Sequence, residues 1–348
     1  MTAIDLPPWL HAPLRRAGDA LASGRLAHGL LVCGPPRIGK QAFAYALAKT
    51  LLCRARVDGM ACGHCRDCTL FAASGPIDAS LTRPDGSLSL PLGRPGHPDA
   101  RMLGYERNDK TGKMYSVLTV DQIRALGEWL ALTSQRGGAQ VAVIDPASAM
   151  NENAANALLK TLEEPLPGRY LMLCCESPMQ LPATIRSRCQ RIVLQLPSVD
   201  VALAWLREQG HAQAPARTAL MAARGNPGLA AHWLANGLLA LRESVHADLA
   251  AIAQGKRGPL EMAAAWLGDE RTGERLCFAA EHALERASAQ PAGSSVDDSS
   301  SGRVTDVAKL AAWFDDANHT RDLLRTPIRA DLALADLLRR WRQAASVA

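Results

Sequence analysis

The segment GPPRIGK, residues 34–40, constrains the fold of this chain more than any other part of its sequence. Gly34, Gly39 and Lys40 carry the pattern G-x-x-x-x-G-K. An apolar run at 26–33 precedes it and a helical pattern at 41–53 follows, which is the context that a phosphate-binding loop requires. Backbone N–H groups of such a loop cradle an anion, and the lysine reaches the outer phosphates. A plain strand-to-helix turn is the competing interpretation.

The catalytic positions around this loop depart from those of a hydrolase. Gln41 stands where a Ser or Thr hydroxyl would bind Mg²⁺. Asp145 ends the apolar segment VAVID, but Pro146 follows it where a hydrolase needs a base to orient the attacking water. We therefore expect no ATP hydrolysis by this chain. Lys40 and both glycines survive, so binding of ATP or ADP without turnover stays open.

Apolar and helical patterns alternate after the loop and predict an α/β domain with a parallel sheet. The segment 75–118 is rich in Gly, Pro, Asp and Ser and predicts a loop, with an insertion of unassigned role at 76–95. Predicted helices cover 120–132, with Thr119 as N-cap, 153–164 and 184–191, and predicted strands cover 141–144, 171–175 and 192–196.

The pattern becomes helical from residue 201 onwards and is broken once, at 225–228. A chain of 348 residues is too long for one ordinary core. We expect a P-loop domain at 1–197, a small helical domain at 198–240 and a helical domain at 241–348. The low-complexity segment at 287–302 predicts a disordered loop.

Four of the nine cysteines are clustered, namely Cys53, Cys62, Cys65 and Cys68. Thiolates at this spacing can surround one ion with tetrahedral geometry, so the cluster predicts a structural Zn²⁺ site within 53–68. An iron–sulfur cluster is disfavoured because the segment TLFAA, and not C-x3-C-P, follows the third cysteine of the run. The same cysteines could instead be four free thiols, or part of a zinc module that grips DNA. Few basic residues surround the cluster, which favours a structural module.

The formal net charge of +5 is compatible with nucleic-acid contact and equally with an ordinary enzyme. No apolar run is long enough to span a bilayer, and the N-terminus has no secretory pattern, so we expect a cytoplasmic protein without membrane contact.

Taken together, GPPRIGK, the four-cysteine spacing, NENAANALLKTLEEP (151–165) and LPATIRSRC (181–189) closely resemble bacterial clamp-loader subunits of the AAA+ class. The resemblance covers about residues 20–230. It implies an AAA+-like P-loop domain, a helical lid and a helical collar. It also implies that Arg188, in the Ser-Arg-Cys motif, is an arginine finger that acts in trans on the ATP site of a neighbouring subunit.

The resemblance further separates this chain from the motor subunits of the class, gamma and tau. Besides Gln41 and Pro146, the segment 174–177 lacks the Thr pair that motors use to sense the γ-phosphate, and Gly228 stands where motors carry a sensing Arg. A non-hydrolysing subunit is implied, in a ring with gamma/tau and delta subunits that loads a sliding clamp onto primer-template DNA. Polymerase activity would belong to the holoenzyme. An active motor and a P-loop kinase are the rival interpretations.

Overall fold

The computed structural model describes residues 6–83, 87–108, 111–288, 301–324 and 328–345, with the side chains of 301–306 left out. Within it the chain divides into two compact units, Met1–His232 and Trp233–Ala348. The finer division predicted at residues 197 and 240 stays a prediction.

The first unit contains a five-stranded parallel sheet, which confirms the predicted fold class. Its strands are β1 (Gly29–Cys33), β2 (Ala100–Leu103), β3 (Gln140–Ile144), β4 (Arg169–Cys175) and β5 (Gln190–Val193). They lie in the order β2-β3-β4-β1-β5, and every neighbouring pair is parallel. All five residues of β1 and of β3 are buried, as expected where helices cover both faces of a parallel sheet.

Helices pack on both faces of this sheet. The helices of the first unit are α1 (Pro8–Ala22), α2 (Lys40–Leu52), α3 (Arg66–Ala72), α4 (Val120–Ala131), α5 (Glu152–Glu163), α6 (Ala183–Arg186), α7 (Val199–Glu208), α8 (Gln213–Ala222) and α9 (Pro227–Ala235), which crosses into the second unit. Alternate residues of β1 join opposite cores: Leu30 and Val32 pack with α1 and α2, while Leu31 and Cys33 pack with α4 and α5.

The sequence located most of these elements. The predicted N-cap of α4 is confirmed, because Thr119 and Gln122 form a reciprocal capping box. The predicted helix at 184–191 and strand at 192–196 were wrong in extent. The helix ends at Arg186, because Gln190–Val193 already pairs with β1 as an edge strand. The segment 75–118 is not all loop, since it contains β2, and the sequence analysis did not identify α1.

The second unit is helical, as the pattern predicted. Its helices are α10 (Leu238–Ala253), α11 (Pro259–Leu267), α12 (Thr272–Ser288), α13 (Ser301–Leu323) and α14 (Ala330–Ala345). Trp266, Trp313 and Trp341 are fully buried there. Their indole N–H groups donate to an Asp248 carboxylate oxygen and to the carbonyls of Leu337 and Leu249, each at 2.9 Å. The three indole rings therefore fill this core, and each of their N–H groups has a hydrogen-bond acceptor.

Most of the predicted disordered loop at 287–302 lies outside the described residues. Among the helices that the structure describes, none combines the length and the apolar character needed to cross a bilayer.

Candidate functional site

The glycine loop lies between the end of β1 and the start of α2, at the carboxyl edge of the sheet where α/β proteins bind ligands. Gly39 has a φ of +102°, and a Cβ added there would lie 2.8 Å from Cδ1 of Leu10 in α1. The Trp9 indole N–H donates to the Ile38 carbonyl at 2.9 Å. Glycine at 39 is thus required both by the backbone and by the packing of α1 on the loop.

The loop lysine is bound by its own loop. The Lys40 ammonium donates to the carbonyl oxygens of Gly34 and Pro35 at 2.9 Å and 2.8 Å. Burial lowers the pKa of Lys40, and the nearby carboxylates of Glu176 and Asp145 oppose that shift. The cation that would meet the outer phosphates of a nucleotide therefore already has two acceptors within the chain.

Asp145 is also occupied from within the chain. This buried carboxylate directly follows β3, and the Arg83 guanidinium lies 2.7 Å from its Oδ2. Gln41, at the position of the missing hydroxyl, donates its amide N–H to the carbonyl of buried Ser89 at 3.2 Å. Arg83 and Ser89 both belong to the insertion. The insertion therefore covers the side of the loop on which a hydrolase would hold Mg²⁺.

Replacing Arg83 with Ala should lower the free energy of unfolding by about 3 kcal/mol, because it leaves the buried Asp145 carboxylate without its partner. Urea unfolding measures the loss. The double variant Arg83→Ala/Asp145→Ala should lose clearly less than the sum of the two single variants. The exposed pair Arg94–Glu106 is the control, since Arg94→Ala should cost below about 1 kcal/mol. Additive losses at Arg83 and Asp145 would contradict the pairing.

The segment that breaks the helical pattern at 225–228 packs on the same loop. The Asn226 side-chain amide donates to the Pro36 carbonyl at 2.8 Å. A Cβ added to Gly228 would overlap the carbonyl oxygen of Arg37. Only glycine fits against the loop backbone at this position, so the departure from the motors' Arg has a steric counterpart in this chain.

Substituting Gly228 by Ala should therefore destabilise the first unit, by about 1–3 kcal/mol, since backbone has to move to admit the methyl group. Gly273 is a matched control. It also lies in the first turn of a helix, and a Cβ added there meets nothing within 4 Å. Gly273→Ala should leave the unfolding free energy unchanged or slightly raised. Urea unfolding measures both variants, and equal unfolding midpoints would contradict the predicted clash at Gly228.

The four clustered cysteines converge. Their sulfur atoms all lie within 4.8 Å of one another, and Sγ of Cys53 is 3.7 Å from those of Cys62 and Cys65. Tetrahedral zinc with Zn–S bonds of about 2.3 Å separates its sulfurs by about 3.8 Å, so Cys53, Cys62, Cys65 and Cys68 fit this metal. The backbone N–H of Cys65 donates to the sulfur of Cys62. Hydrogen bonds from the N–H groups of Cys65 and His64 lower the pKa of Cys62 to about 6.

One buried carboxylate joins this module to the rest of the first unit. Asp67, in α3, accepts hydrogen bonds from Arg54 and Arg136 at 3.0 Å each, and His97 lies 3.4 Å from it. The imidazole of His64 contacts the Cys62 carbonyl at an exposed position. We therefore keep His64 out of the ligand set.

Arg188 lies on the connection between α6 and β5. Its guanidinium is 2.6 Å from Oε1 of Glu163 and donates to the Thr184 carbonyl at 2.9 Å, while 36% of the side chain stays exposed. Ser187 also donates to the Thr184 carbonyl. Cys189 is buried, and burial raises its pKa to about 11, so it packs as a neutral thiol.

Arg188 and the glycine loop lie at opposite edges of the sheet. The loop is at the carboxyl ends of the strands, and Arg188 is at their amino ends. The Arg188 carbonyl lies against Gly29, the first residue of β1, at 3.3 Å from the position of an added Cβ. Gly34 follows the last residue of that strand. Five strand residues separate the two edges by about 15 Å. Arg188 is therefore not part of the site that the chain's own loop forms.

The structure thus brings Gly34, Gly39, Lys40 and Asp145 to one edge, the four cysteines to one module, and Arg188 to the other edge. Sequence reasoning missed Arg83, Glu163 and Asn226, whose partners are distant along the chain. The break at 225–228 marked the position of Asn226, but nothing local marked its contact.

Comparison with known proteins gives the family. A family sequence profile described as DNA polymerase III, delta subunit, matches residues 12–198. A Haemophilus influenzae protein named DNA polymerase III subunit delta′ is 31% identical over 263 residues, covering 75% of this chain and 71% of that protein. The chain belongs to the DNA polymerase III delta′ family.

This chain is similar to two further relatives, one named subunit delta′ and one named subunit tau. The subunit delta′ of Pseudomonas aeruginosa is 37% identical over 202 residues, covering 58% of this chain and 52% of the relative. The match to this relative thus spans about half of its length. The subunit tau of Salmonella typhimurium is 27% identical over 187 residues, covering 54% of this chain and 24% of that protein. Identity is thus lower to the protein named tau than to those named delta′ in H. influenzae and P. aeruginosa.

Proposed function

We propose that this chain is the delta′-type subunit of a cytoplasmic DNA polymerase III clamp loader and does not hydrolyse ATP itself. In this role it joins gamma or tau subunits and a delta subunit in a hetero-oligomeric ring. The ring opens the sliding clamp and places it on primer-template DNA. Membership of the delta′ family and the names of the relatives support this assignment. DNA synthesis belongs to the holoenzyme that the loader serves.

One observation supports the proposed absence of ATP turnover. The groups that would bind nucleotide and Mg²⁺ are bound by other groups of the same chain. Lys40 donates to loop carbonyls, and Asp145 pairs with Arg83. The missing hydroxyl at Gln41 and the missing base at Pro146 remove the two groups that organise metal and water in hydrolytic relatives of this fold.

The position of Arg188 supports a catalytic role in trans. Because this side chain is partly exposed at the edge opposite the glycine loop, it is available to a neighbouring subunit. An arginine placed against the γ-phosphate stabilises the negative charge of the transition state. It acts through charge alone, and no covalent bond of its own subunit is made or broken. Glu163 and Thr184 hold the guanidinium before the partner arrives, so less side-chain freedom is lost on docking.

The cysteine module is proposed as a structural Zn²⁺ site. Four thiolate ligands would complete the tetrahedral shell and leave no open position for a substrate or a reactive water. Zn²⁺ in this module would cross-link the end of α2 to α3.

The proposal is tested by reconstituting the loader with gamma or tau subunits that bind ATP but cannot hydrolyse it. This ring should show no ATPase above background although it contains the native chain described here. With competent gamma or tau, clamp loading onto primed circular DNA should require this chain. Residual DNA-stimulated turnover in the first ring would identify the chain as a motor, and loading without the chain would exclude it from the loader.

A further inference from the structure

Three metal-binding side chains converge in the second unit, far from the cysteine module in sequence. His246 lies on α10, and His282 and Glu285 lie three residues apart on α12, hence on one face of that helix. A ring nitrogen from each histidine and a carboxylate oxygen all lie within 4.8 Å of one another, and the imidazole centroids are 4.2 Å apart. All three residues are partly buried.

One of the two histidines has an unsatisfied ring nitrogen. Nε2 of His246 is buried and has no hydrogen-bond partner, which is uncommon for a buried polar atom. A neutral imidazole nitrogen that has no hydrogen-bond partner offers a lone pair, and this is the form that binds a metal.

Glu285 already has a partner that would orient it. The Arg242 guanidinium donates to both carboxylate oxygens, at 2.8 Å and 2.9 Å. A carboxylate has about four lone-pair positions, so a carboxylate that accepts hydrogen bonds can also ligate a cation. Carboxylates that ligate metals are commonly held by such an outer hydrogen bond. The positive charges of Arg242 and Arg286 oppose a cation, so affinity should be lower than that of the four thiolates.

We propose that His246, His282 and Glu285 form a second metal site, which binds a divalent transition cation such as Zn²⁺ and links α10 to α12. Imidazole and carboxylate ligands suit Zn²⁺, and three protein ligands leave one position for water. With metal–ligand distances of about 2.1 Å, ligand atoms on one tetrahedral zinc lie about 3.4 Å apart. The three ligand atoms, which lie within 4.8 Å of one another, would therefore move closer together when the metal binds. The site lies in the second unit, whereas the glycine loop and Arg188 belong to the first.

Equilibrium dialysis of the full chain against buffered Zn²⁺, followed by elemental analysis, tests this site. The native chain should hold one Zn²⁺ more than the double variant His246→Ala/His282→Ala at micromolar free metal. His319→Ala is the matched control, because His319 is the third histidine of the second unit and lies exposed on α13. It should bind as much Zn²⁺ as the native chain. Equal metal content in the native chain and the double variant would overturn the proposal.

A second measurement needs no variant and so does not depend on how the double variant folds. Co²⁺ is added to the native chain that carries a single Zn²⁺, in the cysteine module, and the histidine ring signals are followed by NMR. Paramagnetic broadening should remove the signals of His246 and His282 at Co²⁺ concentrations that leave His319 sharp. Equal broadening of all three, or none, would show that the cluster does not bind the metal.

Discussion

Replacing Arg188 with Ala should reduce ATP turnover by three to five orders of magnitude at the one site of the ring that this side chain enters. The loss arises because the transition-state charge on the transferring phosphoryl group would lack its guanidinium. Arg188→Lys should lose most of the rate as well, since an ammonium cannot reproduce the planar fork. We expect the total ATPase of the reconstituted ring, measured with clamp and primed DNA, to fall by at least the fraction of turnover that this one site contributes.

Assembly should survive this substitution, because Arg188 is partly exposed and its pair with Glu163 is a surface contact. Gel filtration of the ring checks that point. Arg207→Ala, at an exposed position of α7, is the charge-matched control and should leave ATPase unchanged. Glu163→Ala should reduce the rate less than tenfold, because it loosens the guanidinium without removing it. Native ATPase in the Arg188→Ala ring would rule out the finger.

Removing Zn²⁺ from the cysteine module should unfold residues 53–72 locally. Structural zinc contributes about 10–16 kcal/mol in small zinc domains, which matches or exceeds the whole stability of an ordinary domain. Besides the metal, these residues are held by the Asp67 ion pairs, by the burial of Phe71 and by the packing of Met60 on the core. Hydrogen exchange should therefore show protection of the α3 amides falling by several orders of magnitude after chelation, while the amides of α5 keep theirs. Any DNA affinity of the isolated chain should be unchanged.

Cys65→Ser should reproduce the chelated state, whereas Cys277→Ser, at a half-buried cysteine outside the module, should not. Metal analysis establishes the zinc content of each sample. If α3 stays protected in a preparation shown to contain no metal, the cysteines do not form a structural zinc site.

Local signals in the sequence were sufficient for the elements nearest the site. The apolar run, the glycines and the helical pattern predicted β1, the loop and α2, because each depends on neighbouring residues only. Thr119, predicted as the N-cap, likewise located the start of α4. The cysteine spacing predicted a cluster, and the four sulfur atoms lie within 4.8 Å of one another.

Long-range pairings could not be predicted in this way. Arg83 pairs with Asp145 across 62 positions, and no local pattern distinguishes it from other arginines in a polar insertion. The salt bridge of Arg188 to Glu163 depends on how α5 and α6 pack. The extent of α6 was wrong for the same kind of reason, since sheet pairing of Gln190–Val193 overrides the helical tendency of the local sequence.

In the proposed function, the glycine loop and Arg188 have different roles. Groups that would bind nucleotide in this chain are used to stabilise its own fold, whereas the arginine that would act on a partner's nucleotide faces outwards. A subunit built in this way would contribute to catalysis only when a partner supplies the bound ATP.

The most direct test is ATP turnover by the purified chain alone, with and without primed DNA. The account predicts no hydrolysis above background in either condition, with nucleotide binding weak or absent. Turnover that rises when primed DNA is added would contradict it, and would mean that Lys40 and Asp145 leave their internal partners to form a working ATP site.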